Sequence, residues 1–188
     1  MRRIIREPNG PGLFEPGMDL VAAGSAGKAG VLAALKKRGK ELEARFSPAY
    51  LQKIRCEASE KIGLTPEILA ELGAGEWEYV KEGGVFAALW NLSGAYGQGI
   101  SFELLRIPVS QGVVEVCELF DLNPYRLSSG ECVLIVSERG RDLAEELRRR
   151  GILAAWIGKV EKGIARKVLG AGGTGFLERP QPDEIEKV

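Results

Sequence analysis

Two glycine clusters and one serine pair carry the groups of this 188-residue chain that could hold an anion. They are Gly24-Ser25-Ala26-Gly27-Lys28-Ala29-Gly30, Lys81-Glu82-Gly83-Gly84 and Ser128-Ser129-Gly130. A glycine turn at a helix start leaves backbone N–H groups unpaired, and the helix dipole favours negative charge there. A Ser-Ser-Gly loop can present main-chain donors in the same way. The candidate cofactor-binding residues are therefore Gly27, Lys28, Lys81, Gly83, Gly84, Ser129 and Gly130. Lys28, Lys81 and Arg126 could supply cations. The first cluster falls short of a phosphate loop. That motif needs Gly where Ala22 stands and a magnesium-binding hydroxyl where Ala29 stands. A tight turn between a strand and its packed helix is the better reading. Ser-Ser-Gly is usually a turn as well.

The other side chains exclude more than they offer. The chain has no histidine, so a Cys-His nucleophile, a Ser-His triad and histidine-based metal sites are ruled out. No catalytic residue and no metal ligand is assigned. Glu76, Glu78, Glu82, Glu118, Asp121 and Glu131 could do acid–base work or hold magnesium. Among 26 acidic residues, most are solvated surface. Cys56, Cys117 and Cys132 are odd in number and far apart, which argues against a disulfide framework or structural zinc. A reducing cytoplasm follows as the expected compartment. Cys117 falls on the apolar stripe Val113, Val116, Cys117 and Phe120 and is expected in the core. Lys+Arg and Asp+Glu balance at 26 each, without the basic excess of a nucleic-acid binder. Nothing basic interleaves with Trp77, Trp90 and Trp156, so they read as core or interface residues. The N-terminal Met1-Arg2-Arg3-Ile4-Ile5-Arg6 lacks a signal-peptide apolar region, and no window suits a membrane helix.

The elements that position these groups can be read from periodicity. Residues 1–17 form an N-terminal arm rich in turn residues, 18–178 a single domain, and 179–188 a polar tail, peripheral or extended. Met18–Ala23 is a strand leading through the first glycine cluster into a helix with Val31, Leu32 and Leu35. Ser47-Pro48 and Thr65-Pro66 are N-cap and N1 pairs that start two more helices. Leu51, Ile54, Ala58 and Ile62 share a face of the first of these. Trp77–Val80 is a short strand. Val85, Ala88, Leu89, Leu92 and Tyr96 recur at the spacing of one helix face behind Gly83-Gly84. Residues 99–105 alternate as a strand, 110–120 are helical, and 121–125 turn. Cys132–Val136 is a buried strand, 141–150 a charged helix with Leu143 and Leu147 inward, and 152–160 a strand expected to pair with 164–169. The fold class is α+β, a mixed sheet packed with helices in α/β layers.

Several spaced segments together resemble the aminoimidazole ribonucleotide (AIR) synthase superfamily. Glu82-Gly83-Gly84-Val85-Phe86-Ala87-Ala88-Leu89-Trp90 is similar to its Gly-Gly helix start. Ile107-Pro108-Val109, the run Val116–Tyr125, Ser128-Ser129-Gly130 with Cys132–Val136, and Ala155–Val160 resemble its later segments in order. Met18–Val21 and Gly24–Gly30 look like the entry to its C-terminal domain. The resemblance covers residues 17–188 and implies that domain's fold. It is strongest toward the hydrogenase-maturation type.

The resemblance also implies what this chain lacks. Family enzymes carry an N-terminal half that dimerises and holds ATP and magnesium through aspartates; some 17 residues cannot form it. Hydrogenase-maturation members read His-Asp-x-Thr-Glu/Arg-Gly-Gly, where this chain has Glu78, Tyr79, Val80, Lys81, Glu82, Gly83 and Gly84. The structural glycines stay and the polar groups are replaced. The expected function is a stand-alone domain without catalysis of its own, acting by self-association or partner binding. The partner would be a second copy or a separate AIR synthase-like N-terminal half, with no nucleic acid and no membrane. Catalysis as a subunit of an ATP-dependent phosphoryl-transfer enzyme is the alternative. No cofactor is expected on its own, and ATP with magnesium is possible only through the family. A small-anion or nucleotide sensor is the third option.

Overall fold

The computed structural model describes residues 7–188; residues 1–6 of the expected arm lie outside the described residues. In chain order the elements are β1 (Asp19–Ala23), α1 (Lys28–Lys37), α2 (Gly39–Arg45), α3 (Pro48–Ser59), α4 (Pro66–Glu71) and β2 (Glu76–Tyr79). Then follow α5 (Gly84–Tyr96), β3 (Gly99–Glu103), α6 (Gln111–Phe120), β4 (Val133–Ser137) and α7 (Gly140–Arg149). β5 (Ala154–Glu161), β6 (Arg166–Gly170) and β7 (Gly173–Phe176) complete them, with 3-10 turns at Leu104–Arg106, Pro124–Arg126 and Glu184–Lys187. The architecture is the α+β class, a seven-stranded mixed sheet in the order β2-β4-β1-β5-β3-β6-β7. Among the described residues only β3 and β6 pair in parallel.

Strand alternation splits the core between the two faces of the sheet. Leu20, Ala22, Leu134 and Val136 point toward Val85, Ala88, Leu89 and Leu92 of α5. Val21, Ala23, Val133 and Ile135 point the other way, toward Leu69 of α4 and Leu143 and Leu147 of α7. A third cluster is purely helical: Val31, Leu35, Leu42, Leu51, Ile54, Val113, Val116 and Cys117 of α1, α2, α3 and α6 close on Leu127. Ser47 and Thr65 cap α3 and α4 by accepting from Tyr50 N and Ile68 N, at 3.2 and 3.4 Å, as their Ser-Pro and Thr-Pro pairs predict.

Four details differ from the sequence expectation. α3 ends at Ser59, so Ile62 leaves its face and packs near α4 and α7 instead. The segment expected to continue β3 turns into a 3-10 helix at Leu104. β6 pairs with β3 and β7 rather than β5. The reason is geometric: β5 already has β1 on one side and β3 on the other. Finally, the C-terminal residues do not all lie at the periphery, since Asp183 and Glu184 are buried.

The described part of the arm is docked. Leu13 N donates to Gly75 O at 3.0 Å, and Asn9 Nδ2 to Trp77 O at 2.7 Å. Glu76 is fully buried and accepts from Asn9 N, Trp77 N and the Tyr96 hydroxyl. One carboxylate on the candidate list is thus a fastener between arm, sheet and α5.

Candidate functional site

The start of α5 is shaped by close approach. Gly83 and Gly84 both sit in the left-handed region, at φ +76° and +68°. A Cβ on Gly84 would lie 2.5 Å from Tyr125 O and 2.8 Å from Leu127 O. Glycine is therefore the residue that lets the chain turn out of β2 and press α5 against segment 123–130. The first turn of α5 holds no acidic side chain, and its glycine N-cap offers none. The missing negative charge comes from the far end of the chain. Asp183 Oδ2 accepts from Gly83 N at 3.1 Å and from Ser128 N at 2.8 Å.

Segment 123–130 is wedged between two glycine helix starts. On its other side, Ser129 Oγ accepts from Gly27 N at 2.9 Å, and Ser128 O accepts from Gly30 N at 2.9 Å. Gly27 sits at φ +79° as the N-cap of α1. The structure thus joins Gly27 to Ser129 directly, and Gly83 to the same loop through Asp183. Gly84 packs on that loop. Gly130, at φ +67°, is exposed at the loop's end.

The two lysines stand elsewhere. Lys28 is only 6% exposed, and its Nζ donates to Glu60 O at 3.4 Å. Lys81 is exposed. A third cation near the α5 start is Arg126, whose Nη2 lies 2.7 Å from Glu178 Oε2 and whose guanidinium lies 6.0 Å from the Phe86 ring. Together with Gly83, Phe86, Ala87, Val168 and residues 176–181, it lines a cavity of 210 Å³. A larger open groove, of 770 Å³, lies near the opposite end of β4 and is lined by Leu13, Met18, Leu72, Ser137 and Leu143. It contains none of the glycine-loop residues.

Burial pushes the Cys117 and Cys132 thiols up to about 12, so neither is a thiolate nucleophile at neutral pH. Burial raises the Tyr125 phenol as well. Among the described residues no group of three acidic, Cys or His side chains could hold a metal ion. The sequence reading missed Asp183. A signal was present: Pro182-Asp183 before Glu184-Ile185-Glu186 reads as an N-cap, and Asp183 Oδ1 does accept from Ile185 N at 3.1 Å. What the pattern could not show is that the second oxygen spans 100 residues to Gly83.

Trp77 is buried in the core, as expected, but basic groups from distant parts of the chain do meet the other two tryptophans. The Arg141 and Arg106 guanidinium carbons lie 4.0 and 5.3 Å from the Trp156 ring centroid, and Trp156 Nε1 donates to Asp19 Oδ1 at 2.8 Å. Arg166 lies 4.0 Å from the Trp90 ring, and burial lowers its pKa.

No protein-family model and no curated protein sequence matches the chain. Solved structures do. E. coli HypE, a hydrogenase maturation protein, superposes with a TM-score of 0.69 at 22% identity, over 93% of this chain and 53% of that one. HypE in complex with ATP gives 0.70 at 18%, over 94% and 54%. Thiamine-monophosphate kinase from Stenotrophomonas maltophilia K279a gives 0.64 at 14%, over 85% and 52%. The chain therefore spans about half the length of the solved chains it matches. No described helix is long and apolar enough to cross a membrane. At these identities the likeness is one of fold: the chain shares the fold of about half of HypE and of thiamine-monophosphate kinase.

Proposed function

We propose that this chain is an AIR synthase-related domain that does not turn over ATP by itself and acts by association in a reducing cytoplasm. One observation carries the reading. Both glycine helix starts that could cradle phosphates are filled by the chain's own oxygens, Ser129 Oγ at Gly27 and the Asp183 carboxylate at Gly83. A nucleotide phosphate would meet a fixed carboxylate at the α5 start, and like charges repel at this range. The candidate lysines do not offset this, since Lys28 faces a carbonyl and Lys81 faces solvent.

Association would be with a second copy or with a separate chain supplying a nucleotide-binding half. Leu105, Ile164 and Phe176, 84%, 77% and 69% exposed, lie on or beside β6 and β7. β7 is one of the two outer strands of the described sheet, and an edge of this kind is open to another chain. Catalysis within such a complex is the second reading, favoured by Arg126 and Gly83 lining one cavity.

Calorimetric titration with magnesium-ATP, beside a light-scattering mass, tests the proposal. We expect no heat at millimolar ATP and a mass above the 20.4 kDa of one chain. Micromolar binding with hydrolysis would overturn it. A single-chain mass without heat assigns the association to a different chain.

A further inference from the structure

The two edges of the described sheet are finished differently. Along β2 the chain's own arm lies as a guard. Leu13 N donates to Gly75 O at 3.0 Å, Asn9 N to Glu76 Oε1 at 3.0 Å and Asn9 Nδ2 to Trp77 O at 2.7 Å. Pro8 and Pro11 stand in that arm, and Glu76 and Glu78 in the strand. Prolines and charges are the usual means of keeping a second chain off an edge. β7 has neither. The stretch Gly170-Ala171-Gly172-Gly173-Thr174-Gly175-Phe176-Leu177 carries no charge and no proline, and Phe176 stands 69% exposed.

The register with β6 fixes which main-chain groups are left over. Lys167 pairs with Phe176 and Gly170 with Gly173, and Leu177 N donates to Arg166 O at 2.8 Å. Antiparallel neighbours alternate between pairs that exchange both hydrogen bonds and pairs that exchange none. Counting back from Leu177, Gly175 and Gly173 bond inward to β6. Thr174 and Phe176 therefore aim their N–H and C=O groups outward. Among the described residues nothing bonds to these four groups.

A second copy of the same strand fits them. Set antiparallel about a two-fold axis at Gly175, Thr174 of each copy stands opposite Phe176 of the other. Each such pair exchanges two main-chain hydrogen bonds, so every outward group finds a partner. Phe176 then lies beside a threonine across the strands, a favourable aromatic and β-branched pair. Symmetric pairing sets side chains near their own copies, so a charged strand would repel itself. The neutral stretch 170–177 and the zero formal net charge of the chain remove that repulsion.

We propose that β7 is a self-recognition strand, through which two copies of this chain join their sheets into one about a two-fold axis at Gly175. The pairing rests on the associating role proposed above and gives it a partner and a register. A strand of four residues buries less than the roughly 1,000 Å² that marks a stable complex, so the pair forms and parts with concentration.

Gly175 offers the test, because a single copy tolerates a side chain there. Its φ is not left-handed, and a Cβ would meet only Val168 O, at 4.0 Å. Sedimentation equilibrium from micromolar to millimolar chain compares the wild type, Gly175→Lys, Gly175→Glu and an equimolar mixture of the two variants. Alone, each variant sets like charges against each other across the axis; in the mixture lysine faces glutamate. The mixture should pair roughly tenfold more tightly than either variant alone. Thr174→Pro removes an outward N–H, leaves the inward bonds to β6 in place and should keep the chain single. Near-ultraviolet circular dichroism checks that each variant is folded; if a charged variant is not, Thr174→Pro against the wild type decides. A wild type that stays single at every concentration would overturn the proposal, while association with a different chain would stand. Equal pairing by the wild type, both charged variants and their mixture would overturn it as well, and would put self-association on another surface. So would a folded Thr174→Pro chain that pairs as the wild type does.

Discussion

Gly84 and Gly151 share a left-handed backbone, at φ +68° and +79°, but differ in surroundings. A Cβ at Gly151 meets nothing within 4 Å, whereas one at Gly84 meets three backbone atoms of segment 125–127 at 2.5 to 2.8 Å. Gly151→Ala should therefore cost only the backbone term, about 1 kcal/mol. Gly84→Ala adds an overlap that no side-chain rotation relieves and should cost about 3 kcal/mol or more. For a chain of this size that separates the two melting temperatures by roughly 4–8 °C, which calorimetry resolves. A smaller loss for Gly84→Ala than for Gly151→Ala would refute the close-approach account. The Gly-Gly pair was legible in the sequence as a helix start, because local pattern reports local conformation. Its counter-charge was not, since nothing near Gly83 in sequence announces Asp183. Glu76 shows the same limit from the other side: it was visible as one of many carboxylates, yet its three donors come from Asn9, Trp77 and Tyr96.

At the scale of elements, amphipathic periodicity located the large helices and most strands, while pairing between distant strands lay outside its reach. Residues 164–169 were close in sequence to β5 and so were expected beside it. β3 holds that edge, at Gly99↔Glu161 through Phe102↔Gly158, and its place is set by contacts 60 residues away. α2 escaped notice because Gly39-Lys40-Glu41-Leu42-Glu43-Ala44-Arg45 has one large apolar residue and no stripe. That residue, Leu42, is nonetheless fully buried in the helical cluster. Leu42→Ala should destabilise the chain by about 3 kcal/mol, the usual size for a buried leucine whose cavity collapses only in part. Urea unfolding measures it. A loss under about 1 kcal/mol would mean that α2 contributes little packing and that its single anchor is replaceable.

The whole molecule joins a two-faced sheet to a helical cluster, and the junction is narrow. Val109 packs against both the sheet core and the helices, and Leu127 reaches the helical cluster from the loop between the two glycine starts. The rest of that cluster closes on itself through α1, α2, α3 and α6. Cooperative units of this kind open with separate free energies when few side chains couple them. The cysteines report on each unit. Cys56 is exposed on α3, Cys117 is buried in the helical cluster, and Cys132 is buried under the sheet. Burial holds Cys117 and Cys132 at about 12, so at neutral pH neither offers a thiolate until its surroundings open. Alkylation of the native chain should modify Cys56 first, then Cys117, and Cys132 last. In sub-denaturing urea, the Cys117 rate should show the shallower denaturant dependence, because opening one helical cluster exposes less surface than opening the sheet. Mass spectrometry of timed, quenched samples gives all three rates at once. Identical free energies and identical urea slopes for Cys117 and Cys132 would show that the junction at Val109 and Leu127 transmits unfolding completely. The helices and the sheet would then be one folding unit, and segment 123–130 would be its cooperative centre as well as the floor between the two glycine starts.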